Sequence, residues 1–232
     1  MNAHGKSIDK TYLSIDLAED RGFIHRDYIA HCLRWSHVAK MMMQLRTYDN
    51  AVVLDVGCGR ELPLAKLLYS SRMFPKRYIG VDYGPIDDFS FGKYDDQVKL
   101  YEREDFVKCA LLEGQEAPTH VVCFEVLEHV EPVHMLNMLR RIKQLARKSA
   151  DIFISTPCWN VTDCAGNHVN EMKFVVLGSL FVRLGFKVFA VHGTFASRRD
   201  YEHLISPELK TMFNKLSQYY DSNFLSCIFA PM

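Results

Sequence analysis

Two short stretches of this 232-residue chain hold residue types that can do chemistry. The first runs from Val53 to Leu68, where Leu54, Asp55 and Val56 lead into Gly57-Cys58-Gly59 and a helical pattern follows. Glycine lacks a Cβ, so two of them at a strand tip let the backbone turn sharply and lie flat against a ligand. Such a turn between a parallel strand and a helix is where α/β sheets hold nucleotide-like molecules. The spacing is not the dinucleotide G-x-G-x-x-G, because position 62 is Leu62, and this argues against NAD. The second stretch, Phe124 to Val130, reads F-E-V-L-E-H-V and puts Glu125, Glu128 and His129 in one turn. Imidazole titrates near neutrality, so His129 is a candidate general base, with Glu128 beside it.

The elements that must position these groups follow from hydrophobic periodicity. Apolar residues at helical spacing predict a helix over 26–45. Predicted strands cover 51–56, 77–84, 98–105, 119–124, 151–157, 187–193 and 223–232. Between them, helices are expected over 61–71, 131–148, 171–186 and 206–221. Pro132 stands near the start of one helix and Gly185 closes another, while Ser206 and Pro207 read as an N-cap and first turn. The stretch 85–97 reads as loop, and residues 1–25 as polar and mixed. Alternating strands and helices predict a mostly parallel sheet covered on both faces. No repeat or linker divides the chain, so one domain over 1–232 is expected, with 1–48 as a helical lid and 194–222 as an insertion before the last strand.

Composition narrows the class. The chain is 48% hydrophobic and 24% charged, with net charge zero, so no global pull toward nucleic acid or anionic membrane arises. No apolar run approaches the roughly 18 residues that span a bilayer, and the first residues lack the apolar core of a secretory signal. The seven cysteines are scattered without a C-x-x-C pair, which reads as reduced thiols in a cytoplasmic protein.

Taken in order, "VLDVGCG", "GVD" at 80–82, "ED" at 104–105, "FEVLEHV" at 124–130 and "ISTP" at 154–157 resemble the motifs of class I S-adenosylmethionine (SAM) dependent methyltransferases, in their E-V-L-E-H subgroup. The likeness spans roughly residues 50–190. It implies a Rossmann-like doubly wound sheet of seven strands, SAM as cofactor, and methyl transfer to an O or N atom. It also implies roles. Gly57, Cys58 and Gly59 would lie along the methionine moiety, with Asp55 facing its ammonium group. Asp82, followed by Tyr83, would accept both ribose hydroxyls, as suits an acceptor-only carboxylate. Asp105 would accept from the adenine amino group with Phe106 beside the ring, and Glu125 would face the methyl donor. For Asp105 a turn cap is the competing role.

The acceptor stays open at this point. A small metabolite is the first reading, with Glu128 and His129 as catalytic residues, Arg34, Trp35 and His168 around the substrate, and no metal required. Against this stands a second likeness: Glu125, Glu128, His129 and a later His168 resemble the metal-binding set of small-RNA 3′-end 2′-O-methyltransferases, where a divalent ion holds the terminal ribose hydroxyls. Methylation of a modified base is the other nucleic-acid reading, and a non-catalytic SAM-binding module a third class. Cys158 in "STPCWN" sits where some RNA base methyltransferases carry a nucleophile, although the rest of their motifs is missing. The basic run over 140–148 and the cluster Arg198, Arg199, Tyr201 and His203 are candidate contacts for an acceptor or a partner.

Overall fold

A computed structural model of the chain describes residues 27–44, 48–157, 159, 167–191 and 227–231. The expected helix over 206–221, the remainder of the 194–222 insertion, Cys158 and the polar N-terminal stretch lie outside these residues.

Strand β1, Val52–Val56, is buried along its whole length. It pairs in parallel with β2, Arg77–Val81, on one side and β4, His120–Phe124, on the other. Strand β3, Val98–Tyr101, extends the sheet beyond β2, and β5, Asp151–Ser155, extends it beyond β4, both in parallel. The sheet continues past β5 into β7, Cys227–Pro231, which runs antiparallel, and then β6, Phe186–Ala190. The order 3-2-1-4-5 reverses direction between β1 and β4, and a crevice opens at the carboxyl ends of the strands at such a reversal.

Period-two alternation sends successive β1 residues to opposite faces. Val52, Leu54 and Val56 join Ile79, Val121 and Ile152 under helices α3, Pro132–Leu145, and α4, Phe174–Arg183. Val53 joins Tyr78, Val122 and Phe153 under α1, Asp27–Gln44, and α2, Pro63–Ser70. Two apolar layers thus clamp the sheet, and its carboxyl edge is the part left for ligands.

Helix ends differ from expectation for local reasons. α2 begins at Pro63, not at residue 61, because a residue before proline is driven out of the right-handed helical region; Leu62 takes φ 55° instead. β3 stops at Tyr101, short of the expected 105. Arg103 adopts φ 58°, and the amides of Arg103 and Glu104 turn back to the carbonyls of Gly84 and Asp82. α4 is closed by Gly185 at φ 76° as its sequence implies. The Lys143 ammonium donates to the carbonyls of Leu184 and Gly185 there, at 2.8 and 3.2 Å.

Candidate active site

The turns after β1 and β4 meet at the reversal point. Gly57 and Gly59 have φ 72° and 73°, where a side chain costs roughly 1–2 kcal/mol. At Gly57 space is a second constraint, because a Cβ there would lie 2.2 Å from Val126 Cγ2. The glycine therefore lets the E-V-L-E-H turn come against the first. Cys58 turns its thiol into the core beside Gly80, where burial pushes its pKa well up. Only its backbone remains on the turn.

Asp82 ties two turns together. One carboxylate oxygen accepts from the Gly59 amide at 2.8 Å, the other from the Gly84 amide at 2.7 Å. A carboxylate has about four acceptor sites, and these two bonds take one on each oxygen. Tyr83 beside it is exposed. Asp55 is buried on β1 and accepts from the Tyr78 hydroxyl. Burial raises its pKa to about 7, the Asp82 charge adds to that, and the Tyr78 bond opposes it. Asp105 is engaged as a turn cap: one oxygen accepts from the Val107 amide at 3.0 Å, and Lys108 and His134 stand within 3.3 and 3.4 Å. Phe106 is buried in the core next to it.

The second turn is short, a 3₁₀ stretch over Leu127–His129. Glu125 opens it at φ 54°. Its carboxylate accepts from the Ser155 hydroxyl at 2.7 Å and faces the Arg34 guanidinium at 3.5 Å. Arg34 thus reaches from α1 into the site, while neighbouring Trp35 packs on the core beneath that helix. Glu128 is fully buried. Its Oε2 accepts from Thr156 Oγ1 at 3.1 Å, but its Oε1 has no hydrogen-bond partner. Burial and the nearby Glu125 charge push its pKa well above the usual carboxylate range.

The segment after the undescribed stretch is laced to this turn. The amides of Val169 and Asn170 donate to the Glu128 carbonyl at 2.8 and 3.1 Å, and Asn170 Nδ2 donates to the Leu127 carbonyl at 3.3 Å. His168 is thereby brought against His129, ring centroids 4.8 Å apart and nearly perpendicular. His129 Nδ1 lies 3.0 Å from the Asn167 carbonyl, and His168 Nδ1 pairs with Glu171 Oε1. Carbonyl and carboxylate are acceptors, so each Nδ1 is the protonated nitrogen, and in a neutral imidazole so held it is Nε2 that offers the lone pair. Glu128, His129 and His168 offer ligand atoms that all lie within 4.8 Å of one another, with His129 Nε2 at 3.7 Å from Glu128 Oε1. Ligands around one ion with bonds of about 2.0–2.2 Å stand roughly 3–3.5 Å apart, so a small inward movement suffices.

Sequence reasoning places Glu125, Glu128, His129, His168 and Arg34 at one site, and the structure brings them together. It misses the groups that hold them, Ser155, Thr156, Asn167 and Glu171, and the Tyr78 hydroxyl on Asp55. The polar Ser155-Thr156 pair closing an apolar strand and the H-x-x-E spacing of His168 and Glu171 were the available signals. The basic run over 140–148, which begins on α3 and passes its end, is largely occupied. Arg141 pairs with Glu113 at 2.7 Å, Lys143 caps α4, and Arg147 pairs with Glu116 at 2.9 Å. None of the described helices is long and apolar enough to cross a membrane.

Several solved structures share this fold at low sequence identity. Magnesium protoporphyrin IX methyltransferase from Synechocystis PCC 6803, crystallised with SAM, aligns at TM-score 0.54 and 14% identity, over 88% of this chain and 81% of that one. The methyltransferase domain of a bacterial protein, CtHen1-C, aligns at 0.54 and 15%, over 87% and 98%. Burkholderia thailandensis 1,6-didemethyltoxoflavin-N1-methyltransferase aligns at 0.52 and 15%, over 87% of each chain. No curated protein sequence matches significantly. The family description "Methyltransferase domain" matches residues 33–206, a span that holds both turns and every group assembled above; the chain belongs to this methyltransferase family and is a SAM-dependent enzyme.

Proposed function

We propose that the chain is a metal-dependent RNA 2′-O-methyltransferase that modifies the 3′-terminal ribose. The observation that carries this reading is the buried, unpartnered Oε1 of Glu128 facing two imidazoles whose Nδ1 atoms are both occupied. A general base needs one such imidazole, and its partner carboxylate would bond to it. Two Nε2 lone pairs and a carboxylate oxygen around one point make a divalent-cation donor set. The residues present fit the ion on charge as well, since Arg34 is the one Arg or Lys paired with Glu125 or Glu128 among the described residues.

In this reading Glu128, His129 and His168 hold the ion, and Glu125 stands at the rim, kept from it by Arg34 and Ser155. A divalent ion held there would supply Lewis-acid chemistry, lowering the pKa of a hydroxyl bound to it. Transfer from SAM would be a direct in-line displacement: the S–CH3 bond breaks as the O–CH3 bond forms, S-adenosylhomocysteine leaves, and the hydroxyl proton passes to solvent. The chain's own residues set the geometry: Gly57 and Gly59 let the backbone lie along the methionine portion, Asp82 holds the ribose diol of SAM, and Asp55 meets its ammonium. Ser155 and Thr156 hold the Glu125 and Glu128 carboxylates in place by hydrogen bonds, so part of the orientation a two-substrate reaction needs is fixed before the acceptor arrives.

The test is transfer of radiolabelled methyl from SAM to an oligoribonucleotide, with and without Mn²⁺, against the same oligonucleotide ending in a 2′-deoxyribose. Transfer that needs both the ion and the terminal 2′-hydroxyl, and that Glu128→Ala abolishes, is the expected result. Chelator-resistant transfer to a metabolite pool, with none to RNA, overturns the reading in favour of a small-molecule acceptor.

A further inference from the structure

We infer that Glu171 is a positioning residue: it orients the His168 imidazole so that Nε2, not Nδ1, is presented to the site shared with Glu128 and His129. The inference rests on the metal-dependent reading for its purpose but on separate geometry for its substance. Bonds to its backbone fix the segment around His168: the Asn167 carbonyl accepts from the His129 ring Nδ1, and the Val169 and Asn170 amides donate to the Glu128 carbonyl. The bridge from the Trp159 amide to the Met172 carbonyl, 3.1 Å, secures its far end. None of these bonds involves the His168 ring. The ring's polar contact is the Glu171 carboxylate, one helical turn's spacing along the chain, and that carboxylate is 7% exposed. A carboxylate is acceptor-only, so it selects the tautomer with the proton on Nδ1. Carboxylates behind ligating imidazoles fix ring orientation and raise ligand basicity in this way. His129 receives the same service from a backbone carbonyl, which no substitution can remove; Glu171 is the member of the pair that mutation can reach.

The experiment compares wild type, Glu171→Gln and Glu171→Ala by long-range ¹H–¹⁵N correlation of the histidine rings in metal-free protein, followed by Mn²⁺ titration. Wild type shows His168 protonated on Nδ1. Glu171→Gln, which retains an acceptor oxygen, keeps that tautomer and binds Mn²⁺ within a few-fold of wild type. Glu171→Ala moves His168 to the Nε2-protonated form and weakens Mn²⁺ binding about 10–100-fold. If Glu171→Ala leaves the tautomer unchanged, or if wild type already carries the proton on Nε2, the inference fails. Should wild type bind no Mn²⁺ while the tautomers behave as stated, the metal reading falls and the positioning of His168 by Glu171 stands.

Discussion

Asp55→Asn should stabilise the ligand-free protein, and by an amount that grows with pH. Asp55 is 4% exposed, and burial raises its pKa from 3.8 to about 7. Below pH 3.8 both native and unfolded chains hold the proton, and the native state bears no penalty. As pH rises toward 7 the unfolded chain loses the proton while the native chain keeps it, so stability falls by up to about 1.4 kcal/mol per pH unit. Above 7 the loss levels off at about 4 kcal/mol, the shift of roughly three units converted. Asparagine is neutral throughout and keeps an oxygen for the Tyr78 hydroxyl. The gap between variant and wild type should therefore widen by about 3 kcal/mol in favour of the variant between about pH 5 and pH 8. Urea unfolding followed by tryptophan fluorescence reads this directly. Denaturation midpoints that stay parallel across that range would refute the burial argument. On the proposed placement of the SAM ammonium beside Asp55, SAM binding should release a proton and tighten as pH rises through 7, whereas the variant's affinity should be lower and flat.

Three further outcomes follow from geometry. Gly57→Ala should lower stability by roughly 2–4 kcal/mol, the left-handed φ plus a clash with Val126, and adding Val126→Ala should return the clash portion only; thermal denaturation of the single and double variants separates the two. Asp82→Asn places a donor opposite the amides of Gly59 or Gly84, so SAM affinity measured calorimetrically should fall by about 1–3 kcal/mol, and an unchanged affinity would remove Asp82 from the cofactor site. His120 is buried at the far end of β4 with its Nδ1 2.8 Å from Thr119 Oγ1, and burial lowers its pKa. Its contribution is present above pH 6.5 and lost as pH falls below that value; His120→Gln should flatten the acid limb of the stability profile, and an unaltered limb would show that His120 is not its source.

Reading from sequence succeeds where a local rule governs. Gly57 and Gly59 announce a turn because only glycine sits comfortably at φ near 70°, and Gly185 ends α4 for the same reason. Four of the five parallel strands are legible as buried apolar runs, whereas β3 is only partly buried and is flanked by short 3₁₀ turns. The ordered acidic residues Asp55, Asp82 and Glu125 mark the strand tips. What the sequence hides is pairing between distant segments. Nothing in the spacing of Glu125 and Arg34 says that a helix 91 positions upstream will set its guanidinium there. Asp105 has a turn-capping bond to Val107 that competes with its expected adenine contact, and spacing cannot rank the two. The tautomers of His129 and His168 depend on which acceptor reaches each Nδ1, and those acceptors come from a loop whose path only the fold decides.

Glu125 occupies a backbone conformation, φ 54°, that glycine would hold more cheaply by roughly 1–2 kcal/mol. The chain thus forgoes stability at that position to keep a carboxylate on the crevice. This separates two quantities that most active-site substitutions confound. Glu125→Gly removes the side chain and relieves the backbone, whereas Glu125→Ala removes the side chain and leaves the strain, so their difference reports the conformational tension in the turn less the extra backbone entropy that glycine loses on folding. A sequence library selected for thermal endurance alone should drift to glycine at 125, and the fraction of such clones that lose transfer measures how far folding and catalysis pull this residue in opposite directions.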